Sequence, residues 1–171
     1  RSLSTNSVNM RALNLKGVIL RKMGKLPQAQ EWFRTVLKDT KINHLAQNEV
    51  YLMNNSENFL NKLNRWMRDD VQAYIELSTE YTAIGLYDEA IQVMKRLEVK
   101  GETFPLLYYL TGYNYHLLGD DATALSYYLK AEKMPSDYCF PFRSEAVYVL
   151  ENAMNLNPEG NLAPYYLGNL F

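Results

Sequence analysis

The chain has 171 residues, enough for one substantial core or a short run of repeats. Eighteen Lys and Arg stand against nineteen Asp and Glu, and the net charge of −1 offers no basic field for a nucleic acid or an anionic membrane. A single cysteine, Cys139, excludes an internal disulfide and a cysteine-based zinc site, two histidines leave little for a metal centre, and no apolar run approaches the roughly 18 residues of a membrane span.

From residue 10 onward the apolar residues recur at helical spacing, and no segment alternates as a strand would. The first unit, 10–43, carries Leu13, Gly17, Leu20, Gly24, Ala29, Phe33 and Val36, with Met23-Gly24-Lys25-Leu26-Pro27-Gln28-Ala29 as the turn between two helices. A shortened unit, 44–70, follows. Its expected helices run from Asn43 to Asn54 and from Ser56 to Arg68, with Ser56 as the N-cap of the second.

Two full copies come next, 71–104 and 105–138. Tyr74, Leu77, Tyr81, Gly85, Ala90, Met94 and Leu97 stand 34 residues before Tyr108, Thr111, Tyr115, Gly119, Ala124, Tyr128 and Ala131. Gly85 and Gly119 fall where a helix ends, and glycine reaches the left-handed conformation without a Cβ clash. Ala90 and Ala124 open second helices where two helices approach most closely, and Gly112 lets a neighbour pack close. Beyond Tyr138 the period slips. Ala146, Leu150 and Ala153 form a single helix within 142–157, ended by Asn157-Pro158, and a partial unit occupies 161–171. About ten helices and an all-α fold are expected.

The period of 34 and the phrases Ile84-Gly85-Leu86-Tyr87-Asp88-Glu89-Ala90 and Leu118-Gly119-Asp120-Asp121-Ala122-Thr123-Ala124 resemble tetratricopeptide repeats. Lys16 and Ser78 depart from the usual pattern. The resemblance implies a right-handed α-α superhelix with a concave surface lined by first helices. More narrowly, Asn43-His44-Leu45-Ala46-Gln47-Asn48-Glu49-Val50-Tyr51-Leu52 and the segment Cys139-Phe140-Pro141-Phe142-Arg143 resemble the repeat region of large bacterial, Bacteroides-like proteins that carry an N-terminal domain of unknown function. On that likeness, and with Arg1 at its start, the chain reads as a fragment of a longer one, and the bacterial cytoplasm is the favoured compartment.

Phosphate loops, nucleophile elbows and His-Glu-x2-His motifs are absent from the sequence, so no enzyme, cofactor or metal is expected. Asp120 and Asp121 read as a helix start, Glu76 and Glu80 as a solvated helix face, and Cys139 as a buried thiol. The concave stripe implied by the resemblance runs through Asn14, Val18 and Arg21, then Ile75, Thr79 and Thr82, then Tyr109, Tyr113 and His116, then Tyr165 and Asn169. Tyr109, Tyr113, His116, Tyr165, Asn169, Thr79 and Arg21 are the candidates for a peptide groove, with tyrosines as anchors of low torsional entropy. The same rings could instead pack on one another.

The expected function is a non-catalytic scaffold for a protein or peptide ligand. The alternative is an accessory repeat module of a larger enzyme or carbohydrate-active protein. A face formed by Leu167, Leu170 and Phe171 is expected to support self-association at the C-terminal end.

Overall fold

The computed structural model describes residues 6, 8–68, 70–101, 104–137, 139–141 and 143–171. The expected repeat end at 138 and helix start at 142 lie outside the described residues. The chain divides into two compact units, 1–70 and 71–171. Ten helices and no strand occur among the described residues.

The first unit holds α1 (Met10–Lys22), α2 (Leu26–Asp39), α3 (His44–Asn54) and α4 (Glu57–Met67). The turn between α1 and α2 spans only Met23–Lys25, which forces the two helices to run antiparallel. Gly24 sits in that turn with φ of 73°, the left-handed conformation that a side chain would strain. Inside the pair, Gly17 lies directly beneath the ring of Phe33, and both Phe33 and Ala29 are fully buried. Asn9 and Asn43 cap α1 and α3, their side-chain oxygens accepting from Ala12 N and Ala46 N at 3.0 Å each. Asn43 is thus a cap and not the first helical residue. Ser56 stands at the N-cap of α4 but makes no side-chain cap bond.

The second unit holds α5 (Val71–Ala83), α6 (Tyr87–Val99), α7 (Pro105–Leu117), α8 (Asp121–Ala131), α9 (Glu145–Leu156) and α10 (Leu162–Gly168). Two antiparallel pairs, α5/α6 and α7/α8, repeat the same construction. Their turns carry Gly85 and Gly119 at φ of 77° and 83°. Ala90 and Ala124 are fully buried, as their recurrence in the sequence requires. Asp120 caps α8 by accepting from Thr123 N at 3.0 Å, and hydrogen bonding to Thr123, from its side chain first and its backbone N–H second, holds the Asp120 carboxyl below the ordinary carboxylate range. These are the features of an all-α, tetratricopeptide-like solenoid.

The period breaks after α8. The helix α9 packs on α7 as well as on α8, and α10 folds back on α9. The buried face of α10 is Ala163 and Tyr166. The Leu167 and Leu170 side chains are half-buried, and Phe171 is exposed.

Candidate functional site

The polar stripe on α1 is consumed by its own unit. Asn14 is buried and exchanges two side-chain hydrogen bonds with Asn43, at 2.7 and 3.1 Å. Arg21, expected in the groove, donates from Nε and Nη2 to the two carboxylate oxygens of Glu49 at 2.6 and 3.0 Å. The Glu49 side chain is fully buried and that of Arg21 nearly so, at 14 % exposure. A buried carboxylate is tolerated only with such a partner. Arg21 therefore positions α3 against α1. The sequence pattern placed it on a concave face without showing that α3 would cross that face.

On α7 the tyrosine stripe splits. Tyr109 is fully buried, which removes its ring from any surface. It packs on Tyr128 at 5.9 Å between ring centroids and edge-on to Tyr166 at 6.1 Å. Its hydroxyl donates to Glu132 Oε1 at 2.6 Å. Burial, reinforced by the Glu132 carboxylate, pushes the phenol well above its ordinary pKa. The same Glu132 carboxylate accepts from the backbone N–H groups of Asn161 (3.0 Å) and Leu162 (3.2 Å), so it caps the start of α10. Tyr109 is a core residue tying α7, α8 and α10 together, which corrects its placement as a groove anchor.

One turn further, Tyr113 is only half-buried. Partial burial, with the phenols of Tyr87 and Tyr148 nearby, raises its pKa. His116 continues the stripe. Its ring centroid lies 6.2 Å from that of Tyr113, and its Nδ1 lies 2.5 Å from Asp121 Oδ1. Tyr148 on α9 is 66 % exposed. The unit thus presents an aromatic surface made from Tyr113, His116, Tyr148 and the half-buried Tyr87. Tyr87 and Tyr148 were missed because they belong to other helices and share no spacing with the α7 stripe.

The remaining candidates are dispersed. Thr79 is half-buried and donates its hydroxyl back to Ile75 O at 2.8 Å. It borders a small cleft of about 40 Å³ lined by Ile75, Leu106, Leu110, Phe140 and Val149. Phe140, Pro141 and the start of α9 form the other wall of that cleft. Tyr165 is half-exposed and leans on Tyr166 at 5.4 Å, and Asn169 is exposed just past the end of α10. Cys139 is buried, and burial raises its thiol pKa, as befits a structural residue.

The family model for the tetratricopeptide repeat matches residues 11–38, which covers almost all of α1 and α2 and the Gly24 turn. The chain carries a tetratricopeptide repeat. Two solved crystal structures of MamA align with it over most of its length. One is 18 % identical, with a TM-score of 0.44, and covers 90 % of this chain and 91 % of that one. The other is 17 % identical, with a TM-score of 0.43, over 94 % and 90 %. No curated protein matches the chain. No helix among the described residues is long and apolar enough to cross a membrane.

Proposed function

We propose that the chain is a non-catalytic protein-interaction scaffold and that the aromatic surface around Tyr113 receives a polypeptide ligand. The observation that carries this reading is the contrast within one stripe: Tyr109 is fully buried, while Tyr113 keeps part of its ring at the surface beside the exposed Tyr148. Tyrosines that stand at a surface offer a broad apolar face and a hydroxyl at a small torsional cost. His116 and Asp121 set a polar pair at the edge of that face. Tyr165 and Asn169 are proposed as a further contact on α10, and Thr79 as a supporting residue beneath the α5 face. Tetratricopeptide-like helix pairs suit the role because they hold such side chains on rigid elements.

The test is capture of binding proteins on the immobilised 171-residue chain, run in parallel with Tyr113→Ala and Tyr148→Ala. A ligand retained by the wild type and lost from both variants, with their melting temperatures unchanged, supports the surface. Retention at full strength by both variants removes it.

A further inference from the structure

The near-neutral total charge conceals two units of opposite sign. Residues 1–70 hold twelve Lys and Arg against six Asp and Glu, a net of +6, and residues 71–171 hold six against thirteen, a net of −7. In the first unit the positive charge gathers around a trough between α2, α3 and α4, with a volume of about 860 Å³. That is within the range of sites that enclose a sizeable ligand. An adjoining recess of about 580 Å³ shares Leu37, Lys41, Val50 and Phe59 with it.

The floor and the rim differ in chemistry. Leu37, Val50 and the buried Leu63 make an apolar floor. Phe59, Leu63 and Trp66 recur at i, i+4 and i+7, so α4 turns one stripe toward the depression. Phe59 is 43 % and Trp66 45 % exposed, an unusual state for two large aromatics on one short helix. Lys41, Lys62, Arg65 and Arg68 stand around them, and the Lys62 ammonium lies 4.8 Å from the Trp66 ring centre. Among the described residues, no carboxylate lines either recess. This depression is formed by α2, α3 and α4 of the first unit alone.

We propose that the trough is a second docking site, for an acidic amphipathic polypeptide segment. Its apolar side chains would lie on Leu37, Val50 and Leu63 between Phe59 and Trp66. Its carboxylates would face Lys41, Lys62, Arg65 and Arg68. Charge complementarity selects an anionic partner, and the apolar floor selects a side-chain-bearing polypeptide over a phosphate backbone, which needs cations where this floor has hydrocarbon.

The experiment uses the full 171-residue chain and a labelled model peptide with Leu at helical i, i+3, i+4 and i+7 positions and Glu elsewhere. Two control peptides replace every Glu by Lys or every Leu by Ser, and a single-stranded oligonucleotide and sedimentation of the chain alone complete the set. The acidic amphipathic peptide is expected to bind about tenfold or more tighter than either control, more weakly as salt rises, and about tenfold more weakly to Trp66→Ala. Lys62→Glu should weaken it similarly, and both exposed positions can change with the fold intact. Equal binding of the three peptides, indifference to Trp66→Ala and Lys62→Glu, or tighter binding of the oligonucleotide would overturn the proposal. So would a salt-sensitive self-association abolished by Trp66→Ala, which would make a second copy of the chain the occupant.

Discussion

Gly112→Ala tests the packing that places the tyrosine stripe. Gly112 lies in the middle of α7 with ordinary helical backbone, where alanine normally stabilises by about 0.5–1 kcal/mol through its higher helix propensity. At this site the new Cβ would stand 2.5 Å from Cε1 and 2.9 Å from Cδ1 of Tyr128, and 3.0 Å from the backbone oxygen of Ala124. Tyr128 is fully buried, and its hydroxyl donates to Asn152 Oδ1 at 2.5 Å, so the ring cannot simply swing aside. Nor can the Ala124 carbonyl retreat without moving α8. Overpacking of this kind costs about 1–3 kcal/mol. The repulsion offsets the propensity gain, leaving a net loss of up to about 2.5 kcal/mol. For a unit of this size each kcal/mol lowers the melting temperature by about 4–8 °C. Urea and thermal unfolding followed by far-ultraviolet circular dichroism give both quantities. Gly168→Ala is the internal control, because nothing lies within 4 Å of its would-be Cβ, and it should be neutral or slightly stabilising. A Gly112→Ala protein stabilised by the ordinary propensity gain would refute the close approach of α7 and α8.

Arg21→Ala should cost about 3–5 kcal/mol in urea unfolding, because it removes the bidentate guanidinium partner of the buried Glu49 carboxylate, whereas Arg21→Met combined with Glu49→Leu should recover most of that loss. A single variant within about 0.5 kcal/mol of wild type, the usual range for surface substitutions, would show that the pair is solvated. Alkaline pH should unfold the second unit. Burial raises the phenol pKa values of Tyr109, Tyr127, Tyr128 and Tyr166 above the ordinary 10.0. The folded state therefore keeps protons that the unfolded state loses, and its stability is full below about pH 10 and falls as pH rises beyond it. Tyrosinate absorbance should rise in step with loss of helix, and a simple titration of all tyrosines near pH 10 with the helices intact would contradict their burial.

The helix pairs are legible in the sequence because their determinants are local. Gly24, Gly85 and Gly119 must adopt positive φ, and Ala29, Ala90 and Ala124 must lie where two helices touch. The site is less legible because it depends on which helix crosses which face. Asn14 and Arg21 look like groove residues until Asn43 and Glu49, from the shortened unit, reach across and satisfy them. Tyr109 and Tyr113 are one turn apart and chemically alike, yet Tyr166 on the irregular α10 covers only the first. No periodic pattern reports that, since α9 and α10 break the period. The charge separation between the units was open to counting by halves, and the total of −1 hid it.

The central claim is that one stripe of α7 divides into a core tyrosine and a surface tyrosine that binds a polypeptide. It is tested most directly by measuring melting temperature and ligand dissociation constant together on Tyr109→Ala and Tyr113→Ala, using a protein captured by the wild-type chain. Tyr109→Ala should lose about 3 kcal/mol or more of folding stability, as a fully buried aromatic does. Tyr113→Ala should melt close to the wild type and lose about 2 kcal/mol of binding, roughly thirtyfold in dissociation constant. Undiminished binding by Tyr113→Ala, or a fold-neutral Tyr109→Ala, would contradict the account.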